Sequence, residues 1–402
     1  MKQQKTKEIE EKKTPEHQNI VEQEHIDIFY MTRALELAQR AYPAPNPQVG
    51  AILVRDGKII GEGFHAAPGQ EHAEIIALHD AEKKKVLPDG ATLYVTLEPC
   101  CHFGKTPPCI DAIVVAGVKR VVIGCVDQNP MVNGAGITAL IHAGVTVNVG
   151  VLGKECAALY KNFFHTQKTK RAYVTLKSAM TLDGKIAQKP DAASNISSPE
   201  SRYRSHELRR DHDGILVGIG TVLADDPQLN CRIPCTKQPV PIILDSTLRI
   251  PLNAKVLKNS KTIIATTKRA DKKKRDALQK KGYRVVVSKE GREVDVGRLL
   301  RELPSLGILS VLVEGGAHVN AAFAEHHLVD HVCFFIAPKL FGKAVPLFAA
   351  TKLFAKDGMQ LKNVVYKQVG ADICVEGDLL QRSKHTHSPR CYYIQTQSIM
   401  NY

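Results

Sequence analysis

An α/β architecture in two successive units is what the sequence predicts, and three observations carry that expectation. The chain has 402 residues, more than one hydrophobic core usually serves, so two domains are the starting point. Short apolar strand-like runs alternate with helical spacings along most of the length, the pattern of layered α/β domains. The pattern breaks once, after Phe164, where Lys168-Thr169-Lys170-Arg171 reads as a linker. The expected boundaries are a disordered charged tail at 1–24, a first domain at 25–168, a second at 169–380 and a polar tail at 381–402.

In the first unit, Ala34, Leu35, Leu37 and Ala38 fall on helical spacing, and Pro43 ends that helix. Pro45-Asn46-Pro47 is a constrained loop. A strand follows at Ala51 to Val54, then an Asp56-Gly57 turn and a second strand from Lys58. His72 opens a helix. Thr92 to Leu97 is a strand of β-branched and aromatic residues, and the Cys100 segment lies at its C-terminal end, where open α/β sheets build sites. Cys109 leads another helix, Arg120 to Val126 is a buried strand, and a helix and a strand at Val145 to Val149 close the unit. In the second unit, strands are expected at Tyr173 to Ser178, Gly214 to Val217, Ile242 to Leu244, Thr262 to Ala265, Arg284 to Val287 and Leu309 to Val313, with a helix from Pro199 to Arg210.

Composition narrows the function classes. At 44% hydrophobic residues the chain suits a packed globular protein. No apolar run approaches the roughly 18 residues of a membrane span, so no membrane partner is expected. The first residues lack the apolar core of a secretory signal, and their Glu content does not suit a transit peptide. Of ten cysteines only Cys100, Cys101 and Cys109 cluster, which favours thiols and metal ligands over disulfides and a cytoplasmic location. The net charge of +14 invites a nucleic-acid reading. Much of it lies at residues 255–284, with twelve Lys and Arg against Asp271 and Asp276. That segment reads as a solvated helix face, so nucleic acid is not an expected partner.

The residues that carry chemistry come next. His72, Cys100 and Cys109 offer one imidazole and two thiolates, three zinc ligands that leave a fourth position open for water. Glu74, two residues from His72, is placed to handle protons on that water, the zinc-deaminase arrangement. A structural site would need a fourth protein ligand, and Cys101 or His102 could supply it. Pro45-Asn46-Pro47 would hold the Asn46 amide for reading a heterocycle edge, or simply form a rigid turn. Gly218-Ile219-Gly220-Thr221 and Glu314-Gly315-Gly316-Ala317 each follow a strand, and could cradle phosphate or serve as ordinary tight turns.

Taken together, these residues resemble the bifunctional riboflavin-biosynthesis deaminase/reductase family. Its zinc segment reads like Thr-Leu-Glu-Pro-Cys-x-His-x-Gly-Arg/Lys-Thr-Pro-Pro-Cys, which Thr96 to Cys109 matches throughout. Asn46-Pro47, His72-Ala73-Glu74, Asp127 with Asn129-Pro130, Lys177, Leu182-Asp183-Gly184-Lys185-Ile186, Asp225-Asp226-Pro227 and Val313-Glu314-Gly315-Gly316 match as well. The resemblance implies a cytidine-deaminase-like three-layer α/β/α domain followed by a dihydrofolate-reductase-like α/β domain. It implies Zn2+ at His72, Cys100 and Cys109, Glu74 as catalytic proton shuttle, and NADPH in the second domain. By the same resemblance Met180, Asn195, Thr221, Asp225, Gly315 and Gly316 would face NADPH. Asn46, Lys177, Arg209, Leu229, Arg232 and Glu314 would face a small phosphorylated pyrimidine, the two Arg suiting its phosphate. A homo-oligomer is also implied.

Two stretches depart from the family pattern. Asn195 stands where a Trp is expected, and Ala193 where a Ser contacts substrate, unless a small gap gives that role to Ser194. The family's Gly-Gly near the end is Gly342-Lys343 here. The alternatives are a working deaminase with an impaired reductase, a zinc deaminase acting on nucleic acid, and a non-enzymatic zinc- and nucleotide-binding protein.

Overall fold

A computed structural model describes residues 15–103, 107–129, 132–189, 195–235, 237–349 and 358–380. The first half begins with α1 (Pro15–Ala38), β1 (Gly50–Arg55), β2 (Lys58–Phe64), α2 (Ala73–Lys83), β3 (Thr92–Leu97) and α3 (Cys109–Val115). It continues with β4 (Arg120–Cys125), α4 (Ala135–His142), β5 (Thr146–Val149), α5 (Gly153–Leu159) and α6 (Lys161–Thr169). The strands form one sheet in the order β2-β1-β3-β4-β5. β1 is antiparallel to β2 and β3, while β3, β4 and β5 are parallel.

Strand alternation builds the two faces. Ala51, Leu53, Leu93, Val95, Val121 and Ile123 point to one side, under α2, α3 and α4. Ile52, Val54, Tyr94 and Val122 point to the other, under α1, α5 and α6. Asp56 and Gly57 both have positive φ, 51° and 71°, as the expected tight hairpin turn requires. Close approach of backbones seats α2. A Cβ at Gly63 would lie 2.1 Å from the Ala73 carbonyl oxygen, and one at Gly61 2.1 Å from that of Ala77. Only glycine lets α2 lie directly on β2, and this sets the height of the helix N-terminus that carries His72 and Glu74.

The helix α1 starts at Pro15, so residues 15–24, expected as disordered tail, are helical. The reason is tertiary. Asp27 near the middle of α1 accepts hydrogen bonds from Arg120 at 2.6 and 2.8 Å, from Tyr94 at 2.8 Å and from Gln23 at 2.9 Å. Burial alone would raise the Asp27 carboxyl, but these hydrogen bonds and the Arg120 charge outweigh it and hold it below its ordinary value. A depressed carboxyl stabilises the fold above its unfolded pKa and loses that contribution as pH falls through the lower, folded value. The first half should therefore lose thermal stability as pH drops below about 4. Asp27→Asn should melt lower at pH 7 and lack that acid-dependent step; a parent-like melt at pH 7 would remove this residue from the account of α1.

The second half contains β6 (Tyr173–Thr181), β7 (Lys185–Ala187), α7 (Pro199–Asp211), β8 (Gly214–Gly218), α8 (Ile219–Asp225) and β9 (Val240–Leu244). Then come β10 (Ile263–Thr267), α9 (Lys272–Lys280), β11 (Arg284–Ser288), α10 (Val296–Glu302), β12 (Ser310–Val313) and α11 (Ala317–Glu325). It ends with β13 (His331–Ala337), β14 (Val345–Pro346), β15 (Leu361–Val369) and β16 (Asp372–Leu379). Nine strands share a sheet in the order β11-β10-β9-β8-β12-β6-β13-β16-β15. All its pairs are parallel except β13–β16 and β15–β16. Val174, Leu176, Leu216, Val311 and Val313 pack with α10 and α11. Ile215, Val217 and Ile264 pack with α8 and α9, and Leu312, Cys333 and Phe335 with Leu208 of α7.

The basic segment forms α9, anchored by buried Leu278, while Lys272, Lys273 and Lys280 face solvent. The stretch read as a linker is not one. Lys168 and Thr169 finish α6, and Arg171 is buried in a bidentate pair with Asp330, both contacts 2.7 Å. A residue 159 positions away supplies that pairing, which no local pattern reveals. The expected tail at 381–402, like residues 1–14, lies outside the described residues.

Candidate active sites

In the first half, two helix N-termini and one strand end converge. His72 is the N-cap of α2, Glu74 lies in its first turn, Cys100 follows β3, and Cys109 is the first residue of α3. His72 Nδ1 lies 3.2 Å from Cys109 Sγ and 3.5 Å from Cys100 Sγ. The Cys109 backbone N–H donates to Cys100 Sγ at 3.4 Å. Hydrogen bonds from Cys109 and His72 pull the Cys100 thiol well below its ordinary value despite burial. Tetrahedral zinc, with bonds of about 2.0–2.3 Å to nitrogen and sulfur, wants donors about 3.5 Å apart, so this donor set fits the metal. Neither Cys101 nor His102 joins the cluster among the described residues, which leaves three protein ligands. Glu74 is 3% exposed, and burial followed by the Cys100 charge holds its carboxyl above the usual range.

Three further residues complete this region. Asn46 Nδ2 lies 3.0 Å from His65 Nε2, and His65 Nδ1 lies 3.0 Å from the Glu71 carbonyl oxygen. That carbonyl can only accept, so His65 donates from Nδ1 and accepts from the Asn46 amide at Nε2. The His65 ring also meets His72 edge to face, with centroids 5.4 Å apart. His102 Nδ1 is buried without a partner among the described residues. His65 went unremarked at the sequence level because nothing near it in the chain marks it out. Gly104, Lys105, Thr106 and Pro130 lie outside the described residues.

Glu98 explains why the zinc segment carries a carboxylate before its Pro-Cys. It is 4% exposed, and its two oxygens accept from the backbone N–H groups of Asp127, Gly134, Gly136 and Ile137 at 2.9–3.3 Å. The loop after β4 is thereby pinned beside the strand end that carries Cys100. Glu98→Gln would turn an amide NH2 against two of these donors. A loss of about 2–4 kcal/mol is expected, read as a lower denaturation midpoint; an unchanged midpoint would show that the loop is held by something else.

In the second half, β8, β12 and β6 are neighbours, and Leu216, Val313 and Leu176 lie in register. Glu314, Lys177 and Gly218 therefore meet at one C-terminal sheet edge. Arg209 of α7 reaches Glu314 through Nε at 3.0 Å and Nη2 at 2.6 Å, and Nη1 donates to the Asn230 carbonyl at 3.2 Å. Burial would raise the Glu314 carboxyl, but the charges of Arg209 and Lys177 bring it down to about 2. Leu229 is buried and Arg232 exposed on the segment after α8. Thr221 lies half-buried in α8 and Asp225 is exposed at its end. Met180 is half-buried near the end of β6. Asn195 is exposed, and its carbonyl accepts from Lys339 Nζ at 3.0 Å. Ala193 and Ser194 lie outside the described residues.

The glycine turns divide. A Cβ at Gly315 would fall 2.5 Å from Val319 Cβ, and one at Gly218 2.8 Å from Val319 Cγ2, so the packing of α11 requires both. A Cβ at Gly316 would meet open space. Gly342, where the expected Gly-Gly is interrupted, has φ 63° and donates its N–H to Asp183 at 2.8 Å.

Comparison with known proteins bears on both halves. Residues 24–125 match the cytidine and deoxycytidylate deaminase zinc-binding region, and residues 172–375 match the RibD C-terminal domain. The riboflavin biosynthesis protein RibD of Aquifex aeolicus is 41% identical over 355 residues, which span 87% of this chain and 98% of that protein. The chain belongs to the RibD family. A structure of Acinetobacter baumannii RibD is 35% identical with a TM-score of 0.73, covering 89% of this chain and all of that one. The Thermotoga maritima diaminohydroxyphosphoribosylaminopyrimidine deaminase/5-amino-6-(5-phosphoribosylamino)uracil reductase is 37% identical with a TM-score of 0.72, at the same coverage of this chain. As a RibD-family protein the chain is a bifunctional riboflavin-pathway enzyme, with a zinc-binding deaminase domain and an NADPH-using reductase domain. The expected cytidine-deaminase-like and reductase α/β domains are present in that order. No described helix is long and apolar enough to cross a membrane. The readings as a nucleic-acid deaminase, an impaired reductase or a non-enzymatic binder are not favoured.

Proposed function

We propose that the first half removes the 2-amino group of 2,5-diamino-6-(5-phosphoribosylamino)pyrimidin-4(3H)-one. The second half then reduces the ribosyl side chain to ribityl with NADPH, giving 5-amino-6-(5-phosphoribitylamino)uracil. The observation that carries this reading is the triangle of His72, Cys100 and Cys109 with Glu74 buried beside it. Those three residues are the proposed ligands. Bound zinc supplies Lewis acidity toward water. Glu74 accepts a proton and returns it to the leaving amine, the task of a buried carboxylate within reach of the reacting atoms. Asn46 commits its NH2 to His65, so its carbonyl oxygen remains to accept from the edge of the pyrimidine. The buried His65 ring keeps the amide in one orientation.

In the second half bound NADPH supplies hydride. Met180, Asn195, Thr221, Asp225, Gly315 and Gly316 are the proposed cofactor contacts, and Gly316 is the glycine there with no packing demand of its own. Lys177, Leu229, Arg232 and Glu314 are proposed to meet substrate. Exposed Arg232 suits the phosphate, whereas Arg209 spends three of its N–H groups on Glu314 and Asn230, which supports a role in holding Glu314 as well as in binding. Proposed domain limits are 25–168 and 169–380, with α1 extending the first toward Pro15. A homo-oligomer in the cytoplasm completes the reading, and light scattering of the full chain tests the former.

The deciding experiment supplies the diaminopyrimidine phosphate to pure, zinc-loaded protein. Ammonia should appear first, and NADPH should then be consumed in equal amount. Absence of ammonia would sink the first assignment; ammonia without NADPH consumption would sink the second.

A further inference from the structure

A second group of metal-ligand side chains lies in the reductase sheet, beneath α7. In the antiparallel β13–β16 pair Cys333 stands opposite Glu376, and Cys374 opposite Phe335. The side chains of Cys333, Cys374 and Glu376 therefore project from the same face. Their donor atoms form an even triangle. Cys333 Sγ to Cys374 Sγ, Cys333 Sγ to Glu376 Oε1 and Cys374 Sγ to Glu376 Oε1 are each 3.7 Å. The centre of such a triangle is about 2.1 Å from every corner, and an ion slightly above it reaches the ~2.3 Å of a zinc–thiolate bond. The His72, Cys100 and Cys109 triangle has edges of the same kind, 3.2 and 3.5 Å.

Charge and surroundings suit an ion as well. Two thiolates and a carboxylate carry three negative charges, of which a divalent cation offsets two, and the Arg204 guanidinium, shared with Glu207, offsets part of the third. Arg204 Nη2 donates to Glu376 Oε1 at 3.4 Å, and its Nη1 is held by Glu207 at 3.0 Å. An outer hydrogen bond of this type orients a ligating carboxylate. Cys333 and Cys374 are 0% and 2% exposed, while the Glu376 side chain is 19% exposed. Solvent reaches the triangle from the Glu376 side, where water can complete four-coordination. Soft thiolates select zinc-class ions over calcium or magnesium.

We propose that Cys333, Cys374 and Glu376 form a second metal site, for a thiophilic divalent cation of the zinc class, that ties β13 to β16. Full-length protein loaded with zinc and desalted should hold two ions per chain by elemental analysis. His72→Ala should retain one, and cobalt bound to that variant should show thiolate charge-transfer absorbance that Cys374→Ser removes. The Cys333→Ser/Cys374→Ser variant should drop the wild-type count from two to one. Glu376→Gln keeps the shape of the core, and should weaken zinc at this site at least tenfold, as loss of a metal's partners does; it serves if the serine variants fail to fold by circular dichroism. One zinc per chain in the wild type, two in a folded double-serine variant, or unchanged affinity in Glu376→Gln would each overturn the proposal.

Discussion

Glu74→Gln should stop ammonia release while leaving zinc in place. The two side chains have nearly the same shape, but an amide cannot take up a proton and pass it on. Loss of a positioned acid–base group costs roughly 10²–10⁴-fold in rate. Stability should not fall with it. The Glu74 carboxyl is buried and held above its ordinary pKa, mainly by desolvation, so its charge is a burden on the fold. A neutral amide removes that burden. The expected set is therefore three-fold: ammonia release lost, metal content unchanged by elemental analysis, and a melting temperature equal to or above the parent's. Ammonia release above about a tenth of the parent rate would dismiss Glu74 as the proton carrier. Loss of zinc would instead show that the residue supports the ligands.

Removing Arg209 should have the largest effect on stability. Its guanidinium and the Glu314 carboxylate make two hydrogen bonds, with side chains only 16% and 11% exposed. Deleting one member strands the other charge away from water. Such a break costs about 3–5 kcal/mol. Arg209→Leu should accordingly lower the melting transition of the reductase half by roughly 6–20 °C, and abolish NADPH consumption. Replacing both members, as in Arg209→Leu/Glu314→Leu, should recover much of the stability but none of the reduction, because the stranded charge is gone while the site remains incomplete. The pH sign follows from the low Glu314 pKa of about 2. The carboxylate's contribution is complete above its unfolded pKa, and is lost only as pH falls toward 2. A double variant as unstable as the single one would show that shape, rather than charge, decides this contact.

The deaminase centre was legible because its signals are local in the chain. His72 and Glu74 are two residues apart at a helix start, and the strand Thr92–Leu97 delivers Cys100 where sheets build sites. Cys109, nine positions after Cys100, then opens α3. The central strands were legible for the same reason, since they are buried on both faces and stand out in the chain as continuous apolar runs. The Gly218 and Gly315 turns were ambiguous, and rightly so. Their glycines answer to Val319, a contact between segments that no turn pattern describes. The polar N-terminal stretch misled because its helix is secured by Arg120, 93 residues from Asp27.

Composition, periodicity and motif spacing thus determined that the chain is an α/β protein of two units, and singled out His72, Glu74, Cys100 and Cys109 as candidates for one site. Tertiary structure alone decided which polar side chains satisfy one another. Glu98 on the loop after β4, His65 on Asn46, Arg171 on Asp330, and the thiols of β13 and β16 all depend on partners far away in sequence. Burying apolar surface needs only the right kind of residue at the right period, so local sequence records it. A buried hydrogen bond or ion pair needs a specific partner within about 3 Å, and only the folded chain brings that partner there.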